Sequence, residues 1–248
     1  PFSGGDILKK DGQLTGVFID NPMGLIDSKI PNPTTKEAAQ ALKDAEKICF
    51  ESGLTTVDDA GLSQETMELI DSLQKIGELK IRIYAMISAS EENLNYYLDK
   101  GTYKTERLNI RSFKFFGDGA LGSRGAAMRE PYSDKPGHYG ALVNTVETLK
   151  NTAKRISDSD FQMNTHAIGD SANHIMLQTY AAVLKDKKDR RWRIEHAQIV
   201  SIDDFEFFKN IIPSIQSTHA TSDMYWAEDR VGPDRIKGGY AYKDLLNK

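Results

Sequence analysis

The regular alternation of strand-like and helix-like segments constrains the fold more than any other feature of this sequence. The strand-like segments are short apolar runs rich in β-branched and aromatic residues, whereas the others keep apolar residues three or four positions apart. Strands that alternate with helices form a parallel sheet. Residues 54–59, 81–87, 110–116, 161–166, 192–197 and 211–217 are strand-like, and residues 34–53, 63–77, 91–100, 145–157, 170–185 and 203–209 are helix-like.

Polar residues at the ends of these strands favour one α/β fold over another. A doubly wound sheet and a TIM barrel both fit the alternation, but a barrel gathers the carboxyl ends of all its strands around one mouth. Five polar residues lie at or near the carboxyl ends of separate predicted strands, namely Asp58, Lys114, His166, His196 and His219. The sequence therefore predicts a TIM barrel, with six strands recognisable.

Composition narrows the class of protein and its partners. The chain has 248 residues, a net charge of −4 and a hydrophobic fraction of 39%. This balance gives no electrostatic reason to expect nucleic acid binding, and no run reaches the roughly 18 apolar residues that span a bilayer. Cys49 is the single cysteine, which excludes an internal disulfide and a cysteine-rich zinc site. We expect a small-molecule substrate, no nucleic acid or membrane partner, and leave a homo-oligomer open.

Lys114, His166 and His196 are the residues that point to chemistry. Each interrupts an apolar strand, where an unpaired polar group is costly. A single histidine in this setting can be a core residue that bonds a neighbour, but two histidines at successive strand ends also suit a metal site, because neutral imidazole is a common ligand.

Lys114 needs a separate explanation, because a protonated ammonium has no lone pair for a metal ion. Burial favours the neutral amine of a lysine, and a neutral amine can add carbon dioxide to give a carbamate with two ligating oxygens. Alternatively, Lys114 pairs with Asp118 or Asp58. Spacing alone does not decide between these interpretations.

Several segments resemble signature sequences of the amidohydrolase superfamily. They are SFKFFGDGALGSRGAA, which contains Lys114, NTHAIGD, which contains His166, and RIEHAQ, which contains His196. The segments ESGLTTVDDAG and PYSDKPGHYG add a similarity to its family 3, which includes N-substituted formamide deformylases. The resemblance runs from about Gly12 to Tyr240.

The resemblance implies a (β/α)8 barrel that hydrolyses carbon–nitrogen bonds other than peptide bonds, with amide or N-acyl substrates. It implies one or two divalent metal ions, zinc in the first place, and a metal-activated water that attacks the carbonyl carbon. Transferred by motif, Lys114 would be the carbamylated ligand of strand 4, His166 the ligand of strand 5 and His196 the ligand of strand 6.

The sequence also departs from the superfamily pattern. It contains no His-x-His motif, which the superfamily carries on strand 1, and no strand with an aspartate after Ser217. We therefore expect strands 2 to 7 of a barrel, without strands 1 and 8 and without the β-sandwich domain. The expected organisation is an N-terminal segment packed on the barrel (residues 1–33) and a partial catalytic barrel (residues 34–248). An internal fragment of this kind is expected to be inactive, and its start gives no basis for predicting export from the cytoplasm.

Three residues near the expected mouth are predicted to contact the substrate, namely Arg124, His219 and Asp118. Arg124 could instead pair with a surface carboxylate, and His219 could be structural. Glu195 and Asp170 are candidates to orient the imidazoles, although the position of Asp170 favours a helix N-cap.

Two other functions are considered. Gly117–Gly122 matches the dinucleotide pattern G-x-G-x-x-G, but a loop follows where a Rossmann turn would open into a helix. An NAD-dependent oxidoreductase is therefore the weaker alternative. A barrel that binds small molecules without catalysis is the stronger one.

Overall fold

The computed structural model describes residues 2–248, which form a mixed α/β structure. Its strands are β1 (Gly5–Lys10), β2 (Gln13–Asp20), β3 (Thr56–Leu62), β4 (Arg82–Ser88), β5 (Tyr103–Lys104), β6 (Leu108–Phe116), β7 (Gln162–Ala167), β8 (Arg193–His196) and β9 (Ile212–Ser214). Its α-helices are α1 (Gly24–Asp27), α2 (Thr35–Glu51), α3 (Gln64–Lys75), α4 (Glu91–Lys100), α5 (Val146–Ser157), α6 (Asp170–Leu184), α7 (Ser217–Asp223), α8 (Ala227–Arg235) and α9 (Tyr242–Leu246). Short 3-10 helices cover Asn21–Met23, Ile202–Lys209 and Ile236–Gly238.

The sheet has the strand order β3-β4-β6-β7-β8-β9, and β5 pairs with β6. Pairing is parallel between β3 and β4, between β4 and β6, and between β8 and β9. All six predicted strands are present and lie in chain order. The last one is shorter than predicted: β9 ends at Ser214, and Ser217, predicted to end the strand, begins α7.

Helix starts follow the capping signals of the sequence, with one exception. Thr34 and Glu37 form the predicted capping box of α2, and Ser63 accepts a hydrogen bond from the N–H of Thr66 at the start of α3. At α6, however, the N-cap is Gly169 and makes no side-chain cap bond. The predicted cap at Asp170 is wrong, because its carboxylate accepts the N–H of Arg129 instead, at 2.9 Å.

The chain divides into two compact units. The unit of Ile30–Phe115 and Ile156–Asn164 contains α2 to α4, β3 to β5, nearly all of β6 and the start of β7. Its core includes the fully buried side chains of Met67, Ile70 and Leu108, and the rings of Phe113 and Phe161 pack 5.0 Å apart. Met67 and Ile70, three positions apart in α3, lie on its buried face, in agreement with helical spacing of apolar residues.

The second unit comprises residues 2–29, Phe116–Arg155 and Thr165–Lys248. Its N-terminal part is an antiparallel hairpin of β1 and β2, where the sequence showed only turn residues. Just after β2, the Asn21 side chain donates to the carbonyls of Ser3 and Val143, at 2.9 and 3.1 Å. These bonds tie the hairpin to the connection between β6 and α5. The domain boundary predicted at residue 33 stays a prediction.

The connection between β6 and α5, residues 117–145, contains the G-x-G-x-x-G match. No helix opens at Gly117–Gly122, since the next helix begins at Val146. This arrangement lacks the strand–turn–helix geometry that places a pyrophosphate on a helix N-terminus. Across the part of the chain that the structure describes, none of the helices has the length and apolar character needed to cross a bilayer.

Candidate functional site

Four aromatic rings form a row in the second unit, which we call the ring row: Phe116, His166, His196 and His219. Phe116 ends β6, His166 lies in β7, and His196 ends β8. The centroids of Phe116 and His166 are 5.5 Å apart, and those of His166 and His196 are 4.6 Å apart in an edge-to-face arrangement. His196 and His219 stack with centroids 5.8 Å apart. The structure therefore brings together the three histidines that the sequence placed near strand ends.

The backbone conformation of His196 and its hydrogen bond with Gln216 help to hold the ring in place. Its φ is 76°, and that of Ala197 is 43°, so two successive non-glycine residues adopt left-handed conformations. Such residues cost free energy and persist only where the surroundings fix them. The Nδ1 of His196 lies 2.6 Å from Oε1 of Gln216. With Nδ1 donating to that oxygen, Nε2 carries the ring's lone pair.

His166 lies against the first residues after β6. Its Nε2 is 3.2 Å from the carbonyl oxygen of Gly119 and 3.5 Å from Oδ1 of Asp118. A carbonyl can only accept, so Nε2 donates there, and in the neutral ring the lone pair is then on Nδ1. The N–H of Gly117 donates to the His166 carbonyl at 2.8 Å, and a Cβ at Gly117 would come within 2.9 Å of that oxygen. Glycine is therefore required for this close approach.

Asp118 is a buried carboxylate that organises the backbone around His166. Its Oδ2 accepts the N–H groups of Ala127 and Gly169, at 2.9 and 2.8 Å, and its Oδ1 accepts that of Ile168 at 3.0 Å. Burial raises the pKa of Asp118 to about 7, although the three N–H groups lower it. Its predicted contact with substrate stays a prediction, and what the structure shows is a backbone-organising role.

Asp20, which ends the β1–β2 hairpin, is a residue near the ring row that the sequence did not reveal. A Cβ on either Gly119 or Gly125 would lie within 2.4 Å of its carboxylate, so both glycines make room for Asp20. The backbone of Asp20 is left-handed, with φ of 56°, and its buried Oδ2 has no hydrogen-bond partner among residues 2–248. Burial raises the pKa of this carboxyl. The sequence of residues 1–33 contains turn residues, such as Gly12 and Pro22, but no pattern that pointed to Asp20.

Lys114 lies in the other unit, in β6, where its residue is 4% exposed. Its Nζ donates to the carbonyl of Phe115 at 3.3 Å, and a Cβ placed on Gly61 of β3 would lie 3.9 Å from its Cγ. Burial agrees with the expectation from the sequence. The roles of Lys114 as a carbamylated ligand or as an ion-pair partner stay predictions.

The remaining predicted residues have defined partners. Arg124 forms a two-bond ion pair with Asp134, at 3.0 and 2.7 Å, the alternative considered for it from the sequence. His219 lies in α7 rather than directly after a strand. Glu195 accepts from Arg193 at 2.7 Å, and the side chain that bonds His196 is Gln216, which lies near the end of the strand predicted at 211–217. Contacts of Arg124 and His219 with substrate stay predictions.

The donor types of the ring row fit a divalent metal ion. His166 and His196 are neighbours, and in its neutral form each imidazole has one nitrogen lone pair of the kind that binds a metal ion. Within residues 2–248, no three side chains of histidine, cysteine, aspartate or glutamate are grouped so as to hold a metal ion by themselves. Two imidazoles supply half of the four ligands that zinc prefers, and water or substrate can occupy further positions.

We expect the Asp118→Asn variant to be less stable than the wild-type chain by about 2–4 kcal/mol, because an amide nitrogen would face backbone N–H donors and leave them unbonded. Urea unfolding followed by circular dichroism measures this difference. The matched control is Asp6→Asn at an exposed site, for which we expect a change of less than about 0.5 kcal/mol. Equal stability of Asp118→Asn and wild type would contradict the backbone-organising role.

Comparison with known proteins gives a consistent family likeness. A sequence model of the amidohydrolase family matches residues 3–248. The chain is 33% identical to Protein LONG AFTER FAR-RED 3 of Arabidopsis thaliana, over 98% of this chain and 45% of that protein. It is 30% identical to the putative amidohydrolase YtcJ of Bacillus subtilis, over 100% of this chain and 48% of that protein. The chain thus spans about half the length of the curated relatives it matches.

Solved structures show the same likeness in three dimensions. An uncharacterized metal-dependent hydrolase from Pyrococcus horikoshii superimposes with a TM-score of 0.80 at 29% identity, over 91% of this chain and 46% of that one. Its counterpart from Pyrococcus furiosus gives the same TM-score and identity, over 91% of this chain and 47% of that one. With the strand order of the sheet, this likeness confirms the predicted fold class.

Proposed function

Because the chain belongs to the amidohydrolase family, as its sequence motifs predicted, we propose that it acts in a metal-dependent hydrolase that cleaves carbon–nitrogen bonds other than peptide bonds. The substrates would be amides or N-acyl compounds. The observation that carries this proposal is the pair of adjacent imidazoles, His166 in β7 and His196 at the end of β8. The likeness to two metal-dependent hydrolases supports the use of a divalent ion.

We propose that His166 and His196 contribute ligands to this ion, with zinc as the expected metal. When bound, a divalent ion lowers the pKa of a water ligand toward 7 and polarises a carbonyl group. Lys114 is proposed, on sequence resemblance alone, as a further ligand after carbamylation by carbon dioxide. Arg124, His219 and Asp118 remain proposed contacts for the substrate.

Residues next to the ring row have distinct tasks in the proposed site. Gln216 fixes the ring of His196 through Nδ1, and the carbonyl of Gly119 does the same for His166 through Nε2. Orientation of this kind sets which nitrogen is available to a metal and strengthens the ligand. Asp118 accepts the N–H of Ile168 and thereby holds the segment that follows His166 beside Gly119.

The test uses the natural protein that carries this sequence. We expect purified protein to bind zinc and to hydrolyse members of a panel of N-acyl and N-formyl compounds, with activity lost on chelation and restored by added zinc. Elemental analysis and amine release measure the two properties. Binding of panel compounds without hydrolysis at any metal concentration would favour the non-catalytic barrel and overturn the hydrolase.

A further inference from the structure

Phe116 is a large apolar side chain that remains exposed at the end of β6, after four buried residues. It is 48% exposed, whereas Phe113 and Phe115 of the same strand are 0% and 6% exposed. Leaving a phenyl group in water forgoes the stabilisation that burial would give. Because this exposed ring lies beside the imidazole of His166, it is a candidate for contact with a ligand.

The backbone holds Phe116 in a fixed position. Its carbonyl accepts the side-chain N–H of Asn144 at 2.9 Å. The next residue, Gly117, donates to the carbonyl of His166, and its own carbonyl accepts the N–H of Val143 at 3.0 Å. Bonds on both sides thus anchor this end of β6, so little conformational freedom has to be lost when a ligand packs on the ring.

The position of the ring relates it directly to the proposed metal ligands. Phe116 begins the ring row, with its centroid 5.5 Å from that of His166, which in turn contacts His196. A substrate whose carbonyl is held near these imidazoles has a substituent within reach of the phenyl group. That surface presents no donor or acceptor, and it suits an aromatic or large apolar group.

We propose that Phe116 is a specificity-determining residue that selects substrates with an aromatic or large apolar substituent next to the scissile carbon–nitrogen bond. This inference rests on the proposed hydrolase function and names the substrate class of the same site. It assigns to Phe116 contact with the substrate and no part in the bond-breaking step.

The test compares matched substrates in three variants. Each substrate pair differs by a phenyl group, as in the N-acetyl and N-phenylacetyl derivatives of one amine, and the N-methyl and N-benzyl amides of one acid. The variants are Phe116→Ala, Phe116→Leu and the control Tyr139→Ala, which removes an aromatic side chain that is also 48% exposed but lies outside the ring row.

We expect wild type to prefer the phenyl-bearing member of at least one pair, and Phe116→Ala to reduce that preference in kcat/KM by about tenfold or more. Phe116→Leu should keep an intermediate preference, and Tyr139→Ala should match wild type. Equal preference in Phe116→Ala and wild type for both pairs would overturn the inference while leaving the hydrolase intact. A similar loss in Tyr139→Ala would also overturn it.

A binding measurement separates this inference from the proposed function. Calorimetric titration of the zinc-supplemented protein with phenylacetohydroxamate and acetohydroxamate gives a selectivity that needs no turnover. If wild type hydrolyses none of the compounds, the proposed function fails, and the binding ratio decides on Phe116. A phenyl preference that falls about tenfold in Phe116→Ala supports the aromatic subsite, and an unchanged ratio refutes it.

Discussion

Replacing His196 or His166 by alanine is expected to lower zinc affinity by at least about a hundredfold and hydrolysis by about a thousandfold or more. Each change removes one of the two adjacent imidazoles, and even loss of a residue that only orients a ligand typically costs about 10–100-fold. Zinc content after gel filtration and kcat/KM on the best panel substrate are the two measurements.

Two variants calibrate these losses. His174→Ala removes a histidine that pairs with Asp204 at 2.8 Å, away from the ring row, and should keep zinc and activity. Gln216→Ala removes the partner of His196 and should give a smaller loss, about 10–100-fold in zinc affinity. Full zinc content and activity in His196→Ala would show that this imidazole is not a ligand.

Replacing Lys114 is expected to reduce hydrolysis by a factor of about a thousand or more if the lysine is the carbamylated ligand that the resemblance implies. The informative variant is Lys114→Met, because methionine keeps much of the side-chain volume at a position that is 4% exposed. Activity and zinc content are measured together with the free energy of unfolding, so that loss of a ligand is distinguished from loss of folded protein.

The carbamate and the ion pair predict different results. A carbamate requires carbon dioxide, so zinc reconstitution in the presence of bicarbonate should raise the activity of wild type and leave Lys114→Met unchanged. An ion-pair lysine would instead change stability in the variant while activity persists in the folded fraction. Lys104→Met, at an exposed position of β5, is the control. An active, bicarbonate-independent Lys114→Met would exclude the ligand role.

The strands and the two β-strand histidines of the ring row could be predicted from the sequence because their signals are local. A polar residue that interrupts an apolar strand stands out by itself, as His166 and His196 do. The strand β9 was predicted too long, since the apolar run of 211–217 does not show that helix α7 begins at Ser217. His219 consequently stacks on His196 from a helix.

The partners of these residues could not be predicted, because they depend on contacts between distant parts of the chain. Asp118 bonds residues 9, 50 and 51 positions away, and this long-range role gave no sequence pattern. Asp20 reaches Gly119 and Gly125 from a hairpin that the turn residues did not reveal. Phe116 looked like one more apolar residue of β6, and only its exposure sets it apart.

The bonds of Asp118 also bear on the chain entropy of the connection that follows β6. Residues 117–145 form a long connection without a regular helix, and such segments are uncommon unless something holds them. The carboxylate closes a short ring at Ala127 and a much longer one at Ile168 and Gly169. Since closure entropy grows only slowly with ring length, residues added at the exposed turn 135–137 would cost little. We therefore expect insertions at this turn to be tolerated, because the carboxylate of Asp118 would still hold the start of the connection beside His166.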